Sequence, residues 1–362
     1  MNEYPTCEIK RPFVRLVRRT VSSTNHKILV YAIAFLGALL TGGLLILLLG
    51  HNPIDVYLSM VKGSFGSATQ TQATVKMVIP LLITGMGVAM AVRMRFWNIG
   101  AEGQIMVGGM ATSAVVIYGQ AIPPLPRILL MAVAAILAAG LYAAIPAFFK
   151  ARWNTNETLF TLMLNYIAIQ FLVYLQYLPR WQADGTTFPK IRSFDASNRL
   201  PTVWGVHIGW IIALVLVVIY YLYVRKTKQG YEVAVVGESL NTARYAGMNV
   251  NKIIVRTLFI SGALAGIVGF VQVTGADGTL TEGTSGGVGY TAITVAWLSK
   301  MNSFAMVIVA TFIAMLERGA RSIQTTHGIP DSAAALLTGL ILFFMLGAEF
   351  FINYRLVFRG RS

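Results

Sequence analysis

Two sets of polar side chains stand in apolar surroundings, and the chemistry open to them is hydrogen bonding. The first lies in Arg93-Met94-Arg95-Phe96-Trp97-Asn98-Ile99-Gly100-Ala101-Glu102-Gly103-Gln104, where a basic edge runs into an apolar stretch. Asn98 is suited to cap a helix start, and Glu102 near the first turn is stabilised by the positive end of the helix dipole. An acid entering an apolar helix is costly unless it meets a cavity or a partner. Glu102 and Gln104 therefore either face a polar pathway or serve in packing and capping. The second set is Thr158, Thr161 and Asn165, spaced three and four apart and so on one helix face; Gln170 extends it only loosely. Such hydroxyls and amides could hold a neutral, hydroxyl-rich solute, or they could be the interhelical glue that these residue types commonly provide.

Catalytic constellations do not accompany them. His26, His51, His207 and His327 are isolated in the sequence, which argues against a metal site. A Gly-x-x-x-x-Gly-Lys-Ser/Thr sequence is missing, so the chain does not itself cradle nucleotide phosphates. Gly287-Val-Gly289-Tyr-Thr-Ala292 matches a dinucleotide fingerprint in letters alone, since no strand precedes it. Cys7 is the single cysteine, which excludes an internal disulfide. The charges that could run an ion cycle, Glu102, Arg256, Glu317 and Glu349, all lie near the ends of apolar runs and give a stand-alone carrier little support.

The elements that must position these residues are membrane helices. Of 362 residues, 56% are hydrophobic and 12% charged, about half the charged fraction of a soluble domain. The expected fold is an all-α polytopic membrane protein in a lipid bilayer. Ten spans are expected, near 28–50, 77–93, 102–119, 128–149, 158–178, 206–224, 253–274, 289–299, 303–317 and 333–352, with eight or nine as the alternative. The run 289–299 is short for a crossing and reads as a broken or half-spanning helix packed against neighbours. With both termini cytoplasmic, nineteen basic residues fall inside and nine outside, with Arg256 within a span. The net charge of +15 thus reports topology by the positive-inside rule, not nucleic-acid binding. The expected organisation is a basic cytoplasmic segment at 1–27, a transmembrane domain at 28–352 and a basic cytoplasmic tail at 353–362. The first apolar run is too long for a signal-peptide core and reads as an uncleaved span. A small-residue face, Gly262-x-x-x-Gly266, would let helix backbones approach closely. A weak inverted repeat relating spans 2–5 and 7–10 is a further option. Outside, residues 178–204 read as a structured loop, and the glycine-rich 275–289 as a mobile or tightly turned lip.

Between two apolar runs lies the basic segment 225–252, with Gly237-Glu-Ser-Leu-Asn241-Thr-Ala243-Arg244-Tyr245-Ala246-Gly247 at its centre. It is too polar for lipid. Leu240, Ala243, Tyr245 and Ala246 can form one or two turns of a small-faced helix, with Gly237 and Gly247 as breakers. A short helix pinned between two spans is a place for a cytosolic body to push.

Three stretches, in order, resemble one family. Phe96-Trp97-Asn98-Ile99-Gly100-Ala101-Glu102-Gly103-Gln104 closely resembles the Phe-x-Asn-Ile-Gly-Ala-Glu-Gly-Gln signature of permease subunits of nucleoside-type ABC importers, within the group that also serves simple sugars and branched-chain amino acids. Asn156-Glu157-Thr158-Leu-Phe-Thr161-Leu-Met-Leu-Asn165-Tyr166 resembles a second signature, with Thr158 where an aliphatic residue is usual. Asn241-x-Ala243-Arg244-Tyr245-Ala246-Gly247 with Ser261-Gly262-Ala263-Leu264-Ala265-Gly266 resembles the cytoplasmic coupling loop and following helix. The resemblance extends over most of the chain from about residue 75. It implies a permease of the bacterial cytoplasmic membrane, working with a second homologous permease subunit, an ABC ATPase that carries ATP-Mg, and an extracytoplasmic binding protein that delivers a nucleoside. No cofactor is expected on this chain. Asn241, Ala243, Arg244, Tyr245, Ala246 and Gly247 would dock on the ATPase. Asn98, Glu102, Gln104, Thr158, Thr161 and Asn165 would lie along the solute path. A simple sugar would ask for similar polar groups.

Overall fold

Apolar runs of 18 residues or more can do little in a bilayer except form helices, because every backbone polar group must find its partner within the segment. The computed structural model describes residues 14–19, 23–185 and 189–358. In chain order the elements are β1 (Val14–Arg18), α1 (Thr24–Leu48), α2 (Pro53–Phe65), α3 (Ala68–Arg93), α4 (Ala101–Tyr118), α5 (Pro124–Trp153), α6 (Glu157–Gln176), β2 (Thr202–Val203), β3 (Val206–His207), α7 (Gly209–Lys226), α8 (Lys228–Glu238), α9 (Leu240–Tyr245), α10 (Val250–Val271), α11 (Val288–Leu298), α12 (Ser303–His327), α13 (Asp331–Asn353) and β4 (Tyr354–Phe358). Lys10, Arg11, Arg359, Arg361 and Cys7, which enter the reading of the sequence, lie outside the described residues.

Each of the ten expected segments is helical over most of its length, the one at 206–224 opening on β3. Among the described residues, eight helices are long and apolar enough to cross a membrane: α1, α3, α5, α6, α7, α10, α12 and α13. The other two expected spans are α4, with Glu102 and Gln104 in its first turn, and α11. At 11 residues, α11 is about 16 Å long, roughly half of the ~30 Å hydrocarbon core. Two departures from the expectation are small. The helix α2 had no counterpart in the sequence reading, because Asp55 and Lys62 break its apolar pattern. The chain is also not purely helical, since two short antiparallel strand pairs are present.

The chain divides into two units, residues 1–61 with 319–362, and residues 62–318. In the first, α1 lies against α13, and β1 pairs antiparallel with β4, Leu16 opposite Leu356. The two ends of the described chain therefore meet. Within this unit the Tyr31 hydroxyl donates to Glu349 at 3.2 Å, which gives that intramembrane acid a partner.

In the second unit α10 is central and packs on α3, α4 and α5. The stretch from Ile79 to Val92 of α3 is buried on every side, as expected of a helix apolar all round in the middle of a bundle. Large side chains such as Leu125, Leu129, Met163 and Ile167 instead stand outward on α5 and α6, where a soluble protein would not leave a contiguous apolar surface. The loop 178–204 is structured as expected in its described part: Trp181, Ile191, Phe194 and Leu200 are buried, and Gln182 bridges to Ile191. After α10, Gln272–Asp277 continues as a π-helical turn.

The Gly262/Gly266 face does what its spacing suggests. A methyl group on Gly266 would stand 2.3 Å from the Ala135 carbonyl, and one on Gly262 would stand 2.3 Å from the Ala143 methyl. The backbones of α10 and α5 touch, leaving no room for a side chain. Gly266→Val should accordingly lower stability by roughly 1–3 kcal/mol through overpacking. Gly339→Ala on α13, where nothing lies within 4 Å, should not. Thermal unfolding of the detergent-solubilised chain reads both, and equal melting temperatures for the two variants would contradict this packing.

Candidate functional site

The chain leaves helical conformation between α3 and α4. Arg95 takes a positive φ of 56°, and residues 94–100 fold back so that Phe96 N–H reaches the Ala91 carbonyl at 3.0 Å. This interruption leaves backbone groups without helical partners in a largely buried stretch, and the polar residues singled out above cover them. Asn98 was expected to cap α4, but the cap position is Gly100, whose lack of a side chain leaves that role unfilled. Asn98 sits two residues earlier. Its Oδ1 accepts from Gly100 N at 3.2 Å and from Gln104 Nε2 at 3.0 Å, while its Nδ2 donates to Gln104 Oε1 and to Ser261 Oγ on α10, each at 3.2 Å.

From α6, Thr161 Oγ1 accepts from Ile99 N at 3.2 Å and donates to the Glu157 carbonyl at 2.8 Å. Asn165 Oδ1 accepts from Gly103 N at 2.8 Å, and its Nδ2 donates to the Ile99 carbonyl at 2.8 Å and to the Tyr290 hydroxyl at 3.2 Å. Both are buried. Thr158, the third residue of that face, is half-buried and joins through its carbonyl, which accepts from Thr161 Oγ1 at 3.2 Å. Gln170 is exposed and stands apart.

Glu102, only 5% exposed, reaches across to the start of α11. One carboxylate oxygen accepts from Gly287 N at 2.8 Å and the other from Gly289 N at 2.7 Å. An anion at a helix N-terminus meets both the unpaired N–H groups and the positive end of the dipole. The approach needs a glycine, since a methyl on Gly289 would sit 2.3 Å from Glu102 N. At the other end of α11, Trp297 stacks on Trp97 with ring centroids 5.7 Å apart. Asn98, Glu102, Gln104, Thr161 and Asn165 thus form one polar cluster tying α4, α6, α10 and α11. Its members Ser261, Gly287, Gly289 and Tyr290 were not anticipated. Ser261 stood next to the Gly262/Gly266 face, the one local hint of a close helix crossing.

Replacing Glu102 by Gln keeps the shape but leaves one of two buried N–H groups facing an amide NH₂. A hydrogen bond to a charged group contributes about 1.5–3 kcal/mol, so Glu102→Gln should melt several degrees lower than the parent chain. An unchanged melting temperature would mean that this carboxylate does not hold α11.

The segment 225–252 folds as α8 and α9, joined at Ser239. Ser239, not Gly237, breaks the helix: its hydroxyl accepts from Thr242 N at 3.2 Å and caps α9. Gly237 lies inside α8, pressed on the end of α3, where a methyl would meet the Arg93 carbonyl at 1.9 Å. Gly247 ends α9 as expected. It has φ +74°, its N–H bonds the Arg244 carbonyl, and Met248 N–H bonds the Ala243 carbonyl, both at 3.0 Å, the paired closure of a Schellman motif.

The two faces of α9 differ sharply. Ala243 is fully buried in a cluster with Met94, Phe96, Val233, Val236 and Ile254. Asn241, Arg244, Ala246 and Gly247 are exposed, Leu240 is 46% exposed and Tyr245 is 92% exposed. A cavity of about 440 Å³ lies beside α9, lined by Arg95, Phe96, Lys150, Glu157, Leu240 and Asn241 among others. Nearby, Lys150 pairs with Glu157 at 2.9 Å, and Arg256 with Glu232 of α8 at 3.0 Å. Arg256 is thereby a structural ion-pair partner at the foot of α10.

Residues 71–346 match the family described as branched-chain amino acid transport system / permease component. Among similar proteins, the glucose ABC transporter permease protein TsgB13 of Haloferax volcanii is 29% identical, over 88% of this chain and 87% of its own. The guanosine ABC transporter permease protein NupP of Bacillus subtilis is 32% identical over 90% and 94%. The nucleoside ABC transporter permease protein NupB of Lactococcus lactis is 28% identical over 93% and 95%.

Proposed function

The chain belongs to the branched-chain amino acid transport system / permease component family, and from that footing we propose that it is the transmembrane subunit of an ATP-driven importer of nucleosides in the bacterial plasma membrane. The observation that carries the nucleoside reading is the 32% identity to a guanosine permease along nearly the whole of both chains. The glucose permease at 29% identity favours a second reading, the same machine for a simple sugar, whose hydroxyls ask for the same donors and acceptors.

The chain carries no phosphate-cradling loop in its sequence, so ATP-Mg belongs to a partner ATPase and α9 is where that partner pushes. A second, homologous permease completes the pathway, and an extracytoplasmic binding protein delivers the solute. Pairing of β1 with β4 brings the two ends of the described residues together, which supports an even number of crossings: the eight long helices plus α4 and α11, with residues 1–27 and 353–362 cytoplasmic on either side of the permease domain at 28–352. Asn98, Glu102, Gln104, Thr158, Thr161 and Asn165 act along the solute path by holding α4, α6 and α11 in place. Their hydrogen bonds are largely taken up within the chain, so they shape the path more than they grip the solute.

Burial decides which coupling residue is the best probe. Changing Ala243 or Gly247 also disturbs the helix itself, whereas Tyr245 is 92% exposed and can be truncated without harm to the fold. Tyr245→Ala should cut solute-dependent ATP turnover of the assembled importer at least tenfold, with insertion and melting temperature unchanged; undiminished turnover would remove α9 from the coupling surface. For the solute, competitive uptake into vesicles holding the complete importer should show labelled guanosine displaced by unlabelled nucleosides but not by glucose or ribose, and only with ATP. Displacement by glucose would select the sugar reading, and uptake driven by an ion gradient alone would refute both.

A further inference from the structure

The turn between β2 and β3 carries a residue that its geometry disfavours. Trp204 and Gly205 are the two residues of this hairpin loop, with φ of +54° and +75°, the pattern of a type I′ turn, which strongly favours Asn-Gly or Gly-Gly. A bulky side chain at positive φ is an outlier. Here it contributes little to the packing of the chain, since Trp204 is 82% exposed. Backbone strain of this kind persists only where the surroundings impose it, and it clusters at functional positions.

The surroundings do impose it. Val206 and His207 of β3 are buried. The His207 ring fills the space beside Gly209 at the start of α7 and Gly275 in the π-helical turn, where a methyl on either glycine would stand 2.6 Å from it. The Trp204 carbonyl accepts from Gln72 Nε2 of α3 at 3.0 Å, and a methyl on Gly205 would meet that same amide. The hairpin is therefore seated against α3, the start of α7 and the end of α10, and its tip presents the Trp204 ring in one place. That ring stacks on Trp210, in the first turn of α7, with centroids 5.5 Å apart and planes 18° from parallel.

Beyond this pair the exposed surface of α7 is apolar. Ile211, Leu214, Val218 and Leu222, spaced three and four apart, stand outward in a stripe, and the last turn holds Arg225 and Lys226. At 18 residues α7 is about 27 Å long, close to the ~30 Å of a hydrocarbon core. A stripe of that length with cations at one end and an aromatic platform at the other matches a bilayer, where aromatic rings gather at the boundaries and Lys and Arg on the cytoplasmic side.

We propose that the β2–β3 hairpin is a membrane-interface anchor, with Trp204 seated among the lipid headgroups of the outer leaflet. There it fixes the depth of the outer ends of α3 and α7, which the hairpin joins. A ring in water would give nothing in return for the strained turn, whereas at the boundary its apolar face and its N–H both find suitable surroundings. The choice of leaflet rests on the topology proposed above; the interfacial depth does not.

The test compares the full chain with Trp204→Asn, the residue that such a turn prefers, in dioleoylphosphatidylcholine vesicles. The variant should melt no lower than the parent in detergent, so that a lost signal is not a lost fold; Trp204→Phe serves if it does not insert. Lipid brominated close to the headgroup should quench more of the parent's tryptophan emission than of the variant's, by about one sixth, the share of one tryptophan in six. Lipid brominated near the chain ends should separate the two far less, and aqueous iodide should quench both alike. Greater iodide quenching of the parent, with no separation in either brominated lipid, would place the ring in water and overturn the anchor. Larger separation by the deep bromines would overturn it by placing the ring in the core. Shielding from iodide that arises only when an extracytoplasmic binding protein is added would do the same and assign the ring to a protein contact.

Discussion

A buried backbone amide left without a partner costs a few kcal/mol, and this chain breaks its helices twice among buried residues of the second unit, at residues 94–100 and again before α11. The Glu102 carboxylate answers the second break by accepting from Gly287 and Gly289 at once. Asn98, Thr161 and Asn165 answer the first by closing on the backbone of residues 99, 100 and 103. Without these contacts the short helix α11 would begin with unsatisfied N–H groups beside buried residues. The buried polar residues are thus the condition for having interrupted helices there.

The loop 94–100 is shared between two parts of the molecule. Met94 and Phe96 belong to the apolar cluster that seats α9 through Ala243, while Asn98, two residues on, belongs to the polar cluster that binds α6 and α10. A displacement of α9 is therefore one loop away from the groups that hold α4 and α11. Close-packed interiors pass such displacements on as rigid shifts, because they have few voids in which to absorb them.

What could be read from the residues in advance was whatever repeats along the chain. Long apolar runs marked the helices at the expected segments, and the three- and four-residue spacing put Thr161 and Asn165 on one buried face. The glycine pair on α10 announced its own close crossing. What could not be read were partners far apart in sequence. Glu102 and Gly287 are 185 residues apart, and nothing local in 275–289 marks it as the landing place of a carboxylate. Gly237 misled for the same reason: from its neighbours it reads as a helix breaker, yet it serves a contact with Arg93 that only the fold brings near. Asn98 misled because a good capping residue stood two positions before the actual cap, Gly100, where it found a larger set of partners than a cap would have offered.

The helix α9 has six residues, far below the length at which an isolated helix holds together in water. It persists because both ends are closed, by Ser239 at the start and by the Gly247 turn at the finish, and because one small side chain, Ala243, is locked into the core. Tying down so short an element at three points makes it move as a unit. Its outward face, with Tyr245 almost wholly exposed, makes almost no contribution to its folding, so that face is free to be shaped by what it meets. A body that grips it would move the whole helix, and through Ala243 the loop beneath, without first having to melt anything.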